Sequence, residues 1–169
     1  MPTGLLADII DRLPRRGRLL GMDLGDRTIG LAVSDDMHKI ATPLRTLNRT
    51  KFTRDMQDMA NIVKDYEITG FVMGYPLNMD GSAGKRCDVT RSFADQMARC
   101  ADVAGEAPWI ALWDERLSTV SVEDFLIESV DMSRTKRKQV VDKLAAQHIL
   151  QGALDFIQAA RVEKSSEQP

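Results

Sequence analysis

Asp23, the adjoining pair Asp114-Glu115 and Asp142 are the positions in this sequence whose chemistry demands explanation. Asp23 stands near the end of the apolar run Arg18-Leu-Leu-Gly-Met-Asp-Leu-Gly25, and a second strand-like segment, Thr28-Ile-Gly-Leu-Ala-Val-Ser34, follows at once. A carboxylate in a short buried strand needs something to offset its desolvation, and a metal ion or the counter-cation of a bound phosphate is the usual compensator. Asp114 and Glu115 directly follow another apolar run, Pro108-Trp-Ile-Ala-Leu-Trp113. Neighbouring strand residues point to opposite faces, so only one of the pair can readily join Asp23. Asp142 lies in helical sequence. At about 100° per residue, Ala145, Ile149, Gly152, Ala153 and Phe156 form an apolar stripe, with Lys143, Gln147, Gln151 and Gln158 opposite. Asp142 falls inside the stripe and is therefore aimed at the sheet. A helix N-terminal acid favoured by the macrodipole is its alternative explanation.

Carboxylates from two strand ends and one facing helix make an oxygen-rich site suited to one or two Mg²⁺ or Mn²⁺ ions. Without a cation between them, such acids would repel a phosphodiester. With one, the site can activate water, hold a scissile phosphate and stabilise the leaving 3′-oxygen. That chemistry needs no Ser-His-Asp relay. His38, in a polar turn, and His148, at the border of the stripe, read as structural or solvent-facing.

The positioning elements follow from periodicity. Strands are predicted at Arg18–Leu24, Thr28–Ser34 and Ala41–Leu47, the first two joined as a hairpin by Gly25-Asp-Arg27. Met56, Met59, Ala60, Val63 and Tyr66 recur at helical spacing. Gly70–Leu77 is a continuous apolar run closed by Pro76, which suggests a strand buried on both faces. A turn-rich loop, Asn78–Gly84, leads to a helix through Val89, Phe93, Met97 and Ala101. The strand Pro108–Trp113 comes next, then a helix through Val122, Phe125 and Leu126, and a long helix from about Lys138 to Ala160. The order implies an α/β fold: a five-stranded mixed sheet flanked by helices, with later strands parallel to the first. Ligand sites in such sheets gather at the carboxyl ends of strands, where Asp23 and Asp114-Glu115 fall. Residues 1–17 read as an N-terminal extension with a short amphipathic helix, 18–160 as the folded domain and 161–169 as a polar, frayed tail.

At 169 residues, 43% hydrophobic and 28% charged, the chain suits one soluble domain. No stretch has the apolar length a bilayer requires, and acids among the first apolar residues argue against a signal peptide. Cys87 and Cys100 have neither CxxC spacing nor a histidine cluster, as expected of reduced thiols in a cytoplasmic protein. The net charge of −2 excludes a generic polyanion binder. Positive charge is nonetheless concentrated in Pro14–Arg18 and Ser133–Lys138, which suits a phosphodiester beside acidic chemistry. Solvated loop ends explain each cluster equally well. Arg27 and Arg116 sit beside the acids as candidates for phosphate contact or for salt bridges to neighbouring carboxylates. Lys85, Arg86, Lys136, Arg137 and Lys138 flank the site in sequence and could hold a nucleic-acid backbone. Asn78, Asp80 and Gly81 could border a substrate groove, although a β-turn accounts for them almost as well.

Asp23-Leu-Gly-Asp-Arg-Thr-Ile-Gly-Leu-Ala-Val-Ser-Asp35, Gly74-Tyr-Pro-Leu-Asn-Met-Asp-Gly81, Asp114-Glu-Arg-Leu-Ser-Thr119 and Val141-Asp-Lys-Leu-Ala-Ala-Gln-His-Ile-Leu150 occur in that order. Together they resemble the YqgF/RuvX family, from about Leu19 to Phe156. The resemblance implies a ribonuclease-H-like fold and divalent-metal phosphodiester hydrolysis by Asp23, Glu115 and Asp142. It also implies a role in trimming the 5′ end of pre-16S rRNA, with pre-rRNA or ribosomal precursor particles as partners. Glu115 is thereby favoured over Asp114 as ligand, leaving Asp114 a supporting or capping acid. The family often has Ser after the helix acid; here it is Lys143, which the helical angle turns away from the stripe. Three other functions start from related features: a DNA resolvase of Holliday-junction type, a non-catalytic RNA-binding or ribosome-associated module, and an actin-like kinase. The last clamps nucleotide between two domains, and this chain has room for one. The filled set of acids favours catalysis over the binding module.

Overall fold

The computed structural model describes residues 3–117 and 134–167. Ser118, Thr119 and the helix expected through Val122, Phe125 and Leu126 lie outside the described residues. The strands are β1 (Thr3–Leu5), β2 (Arg18–Leu24), β3 (Thr28–Ser34), β4 (Ala41–Asn48), β5 (Ile68–Tyr75) and β6 (Ile110–Asp114). The helices are α1 (Leu6–Ile9), α2 (Phe52–Tyr66), α3 (Lys85–Ala98), α4 (Ala101–Ala104) and α5 (Arg134–Glu167). The sheet runs β1-β6-β5-β2-β3-β4, with β2, β5, β6 and β1 parallel and the β2-β3-β4 meander antiparallel.

The sheet has six strands where five were expected. The additional strand, β1, aligns Thr3, Gly4 and Leu5 with Ile110, Ala111 and Leu112 of β6. Three residues carry too little alternation to signal a strand, and it is the exposed edge of β6 that makes Thr3–Leu5 one. The segment after it is further fastened by the indole N–H of Trp109, which donates to the Ile9 carbonyl at 2.9 Å.

Two apolar layers cover the sheet. On one face Leu20, Met22, Leu31, Phe71 and Met73 pack with Met56 and Met59 of α2 and Phe93 and Met97 of α3. On the other, Leu19, Ala32, Val72, Ala111 and Trp113 pack against Ala146, Ile149, Leu150, Ala153, Leu154 and Ile157 of α5. The α5 backbone lies close to the sheet because its landing strip is glycine. A Cβ on Gly21 would fall 2.6 Å from Leu150 Cβ, and one on Gly30 would run into the carbonyl of Asp142.

Helix α5 differs from expectation on its polar side and in its length. Gln147, Gln151 and Gln158, expected opposite the sheet, hold the β3–β4 hairpin instead. Gln147 Nε2 donates to the Ala41 carbonyl, while Gln151 accepts from the Ala41 amide and donates to the Lys39 carbonyl. Gln158 Nε2 donates to the carbonyls of Met37 and His38. A helical angle separates apolar from polar side chains, but backbone groups at a sheet edge also need partners and glutamine supplies both kinds. His38 is fully buried there at φ 58°, its Nε2 3.0 Å from the Gly17 carbonyl oxygen and its Nδ1 3.0 Å from Arg161. The helix continues to Glu167, past the point where a frayed tail was expected. Lys164 in its last turns pairs with Asp11 at 2.6 Å.

Candidate active site

Strand parity brings the acids together. Leu19, Gly21 and Asp23 alternate onto the α5 face of β2, as Ala111 and Trp113 do on β6. β2, β5 and β6 are parallel and end side by side at Leu24, Tyr75 and Asp114. Just past β6 the chain tightens into a 3₁₀ turn, Glu115–Leu117. Glu115 continues the parity of Ala111 and Trp113 onto the α5 side, and a Cβ on Gly74 of β5 would collide with its Oε1 and lie 2.6 Å from Ile149 Cδ1. Gly74 is thus the gap through which Glu115 reaches toward Asp23. Asp142 arrives from above, where α5 crosses Gly30, the partner of Asp23 across the β2–β3 ladder. Its Oδ2 accepts a 2.6 Å hydrogen bond from the Thr28 hydroxyl.

The electrostatics express this crowding. Burial, together with the negative charge of Asp142, pushes Asp23 from 3.8 to about 6, with Arg86 opposing. Burial, with Asp23 nearby, also raises Glu115, and Arg86 again opposes. Among the described residues, no three His, Cys, Asp or Glu side chains stand close enough together to hold one ion. Asp23 instead feels Asp142 on one side and Glu115 on the other. Bare carboxylates repel one another, and Asp142 is turned to Thr28. The donors are carboxylate oxygens with no thiol or imidazole among them, a set that fits Mg²⁺ or Mn²⁺. A cation between them would remove the repulsion that raises Asp23.

Asp23 and Glu115, but not Asp142, open onto a cleft of about 220 Å³, whose charged lining residues are Asp23, Asp26, Glu115, Arg49, Lys85 and Arg86. Lys85 and Arg86 enter from the first turn of α3, where both were expected to flank the site. Arg49 was not expected. It follows β4, whose antiparallel course returns the chain to the β2–β3 turn, and the Arg49 amide donates to the Arg27 carbonyl at 2.8 Å. The signal was available only as topology, since β4, which Arg49 follows, and β2, which carries Asp23, are not adjacent in the sheet.

Other candidate positions are placed as follows. Arg116 chelates Asp114 through Nε at 3.0 Å and Nη2 at 2.7 Å, and this hydrogen bonding holds Asp114 below the usual carboxylate range. Of the two roles open to Arg116, the ion pair with Asp114 is the one formed. Asn78 and Asp80 close their own turn. Asn78 Nδ2 donates to Ser82 Oγ, and Asp80 Oδ1 accepts from the amide and hydroxyl of Ser82. Arg27 is exposed at the hairpin turn, and Lys136 and Arg137 are exposed on the first turns of α5. The side chain of Lys138 lies outside the described residues.

A family model described as "RuvX: Holliday junction resolvase" matches residues 17–156. The chain belongs to the RuvX family. A relative from Ruegeria pomeroyi named "Putative pre-16S rRNA nuclease" is 52% identical over 143 residues, covering 85% of this chain and 89% of the relative. A relative of the same name from Rhodospirillum rubrum is 44% identical over 165 residues, covering 98% of this chain and 99% of the relative. T. thermophilus RuvC, solved in complex with a Holliday junction substrate, shares the fold at a TM-score of 0.53 and 10% identity, covering 86% of this chain and 96% of that one. The architecture is accordingly the ribonuclease-H-like α/β fold. The RuvX match spans Asp23, Glu115 and Asp142 and ends before the last turns of α5.

Proposed function

We propose that this chain is a divalent-metal-dependent nuclease that hydrolyses phosphodiester bonds, acting in the cytoplasm to mature the 5′ end of pre-16S rRNA. The observation that carries the reading is the uncompensated acidic site. Burial and the charge of Asp142 raise Asp23 at the carboxyl end of β2, and burial and the charge of Asp23 raise Glu115 just past the end of β6. Asp23, Glu115 and Asp142 would hold one or two Mg²⁺ or Mn²⁺ ions. When bound, the metal supplies charge stabilisation to the reacting phosphate and an acidified water. Thr28 orients the Asp142 carboxylate, and Arg86 moderates the charge that Asp23 and Glu115 share. The cationic wall of the cleft holds the nucleic-acid backbone, and the apolar packing beneath keeps the acids on a rigid base. The names of the relatives support the rRNA assignment, and no helix among the described residues is long and apolar enough to cross a membrane.

The test is cleavage of end-labelled pre-16S rRNA by purified protein in Mg²⁺ and in Mn²⁺, beside Asp23→Asn and Asp142→Asn. Wild-type cleavage lost in both variants supports the reading. Cleavage that persists in either variant refutes the assignment of the acids. The family description favours a second reading, resolution of four-way DNA junctions. A labelled junction in the same assay separates the two, because preferential cutting of the junction would replace the rRNA assignment.

A further inference from the structure

Arg49 lies in the cleft without a role in the acidic set. Its Nη1 donates to the Gly25 carbonyl at 2.7 Å, and its guanidinium carbon lies 5.5 Å from the centroid of the Phe93 ring. These two contacts hold the side chain in place. The first ties it to the turn that carries Asp23, and the second ties it to α3, which carries Lys85 and Arg86. A guanidinium has five N–H donors, and the Gly25 carbonyl takes one. Among the described residues no carboxylate pairs with Arg49 within 4.0 Å, although Asp23, Asp26 and Glu115 line the same cleft. A half-buried, doubly braced guanidinium with donors to spare is preorganised for an anion with several acceptor oxygens.

Resting on the nuclease reading above, we propose that Arg49 binds a backbone phosphate beside the scissile one and so sets where the strand lies across the carboxylates. The ligand is a nucleic-acid phosphodiester, whether of RNA or DNA. A phosphate held between Arg49 and Arg86 would continue into the acidic end of the cleft at Asp23 and Glu115. Strand position is thereby coupled to the Asp23 turn, because the same guanidinium holds Gly25. Phe93 offers the guanidinium a ring and no acceptor oxygen, so this contact does not supply the oxygens its remaining N–H donors require.

The experiment compares wild type, Arg49→Lys and Arg49→Met for binding fluorescein-labelled single strands of one sequence, as RNA and as DNA, in EDTA across a salt series. Loss of one charge-assisted phosphate contact should weaken binding of the preferred strand about tenfold or more in Arg49→Met. It should also make the slope of log K against log salt shallower by about 0.7. Arg49→Lys should restore the slope but only part of the affinity, because a point charge lacks the fork. Strands carrying one neutral methylphosphonate at successive linkages locate the contact. At one linkage wild type should fall to the level of Arg49→Met, and that variant should lose nothing further. Wild-type affinity and slope in Arg49→Met would overturn the proposal while leaving the nuclease reading intact, as would equal losses for wild type and Arg49→Met at every linkage. If Arg49→Met does not fold, Arg49→Lys decides the matter: affinity below wild type at the wild-type slope, with a smaller loss than wild type at one linkage, supports the proposal, and wild-type affinity with wild-type losses at every linkage overturns it. Failure of wild type to cleave, with the linkage-specific loss present, would sink the nuclease reading and leave Arg49 a phosphate-binding residue.

Discussion

Replacing Asp23 by Asn is expected to stabilise the metal-free protein at neutral pH while abolishing cleavage. The carboxyl is raised from 3.8 to about 6 by burial and by Asp142. Each pKa unit corresponds to about 1.36 kcal/mol. For an acid whose folded value lies above its unfolded one, the folded state takes up the proton first as pH falls. Stability is therefore lost as pH rises from about 4 to about 6, and it stays lost above that window. Asn carries no charge and escapes this penalty. The gain for Asp23→Asn should be about 2–3 kcal/mol at about pH 7.5, about half of that at about pH 5, and near zero below the unfolded value. In a domain of this size the neutral-pH gain corresponds to about 4–12 °C in Tm. Urea and thermal unfolding of both proteins in EDTA, at each pH, would measure it. Adding Mn²⁺ should then raise the Tm of wild type but leave the variant nearly unmoved, because only a folded site with its ligands gains from metal. An Asn variant that is equally or less stable than wild type at about pH 7.5 would refute the claim that Asp23 is a half-buried charge whose desolvation Arg86 only partly offsets.

Other expectations follow from neighbouring contacts. Mn²⁺ affinity, followed by calorimetry, should fall as pH drops through about 6, since Asp23 must shed its proton to bind; a flat profile from about pH 7 to 5 would contradict this. Gly30→Ala should destabilise the fold by about 2–3 kcal/mol, because the new methyl meets the Asp142 carbonyl and α5 must lift. Chemical denaturation measures that cost, and metal binding should weaken with it. Thr28→Val removes the hydroxyl that orients Asp142 and should cost about 1–2 kcal/mol of stability, with a fall in kcat larger than any change in KM. Arg116→Ala should leave the urea unfolding midpoint nearly unchanged, since the guanidinium is exposed and its ion pair with Asp114 is screened by solvent.

Much of the architecture was legible along the chain. The bounds of β2 and β3 could be read because an apolar run, a three-residue polar turn and a second apolar run leave few other ways to bury both. Asp23 stood out for the same reason, as a charge in sequence that otherwise asks for burial. The choice of Glu115 over Asp114, which resemblance favoured, has its physical ground in the parity of β6, which puts Glu115 on the face of Ala111 and Trp113, and in the gap at Gly74. β1 could not be read, because three residues have no periodicity and become a strand through the edge they meet. The glutamines of α5 were misplaced because a helical angle ranks side chains by polarity and is blind to the backbone of a neighbouring hairpin.

The sequence by itself determined β2 to β6 and the long covering helices, and it marked the acids, because local periodicity and the cost of burying charge act residue by residue. Only the tertiary structure decided how near those acids come to one another and what else shares their cleft. Glycines at Gly21, Gly30 and Gly74 set the close approach of α5 and Glu115. The return of β4 brought Arg49 beside the Asp23 turn. Distances between strands, and hence the strength of their electrostatics, depend on packing across the sheet, which no local stretch of sequence contains.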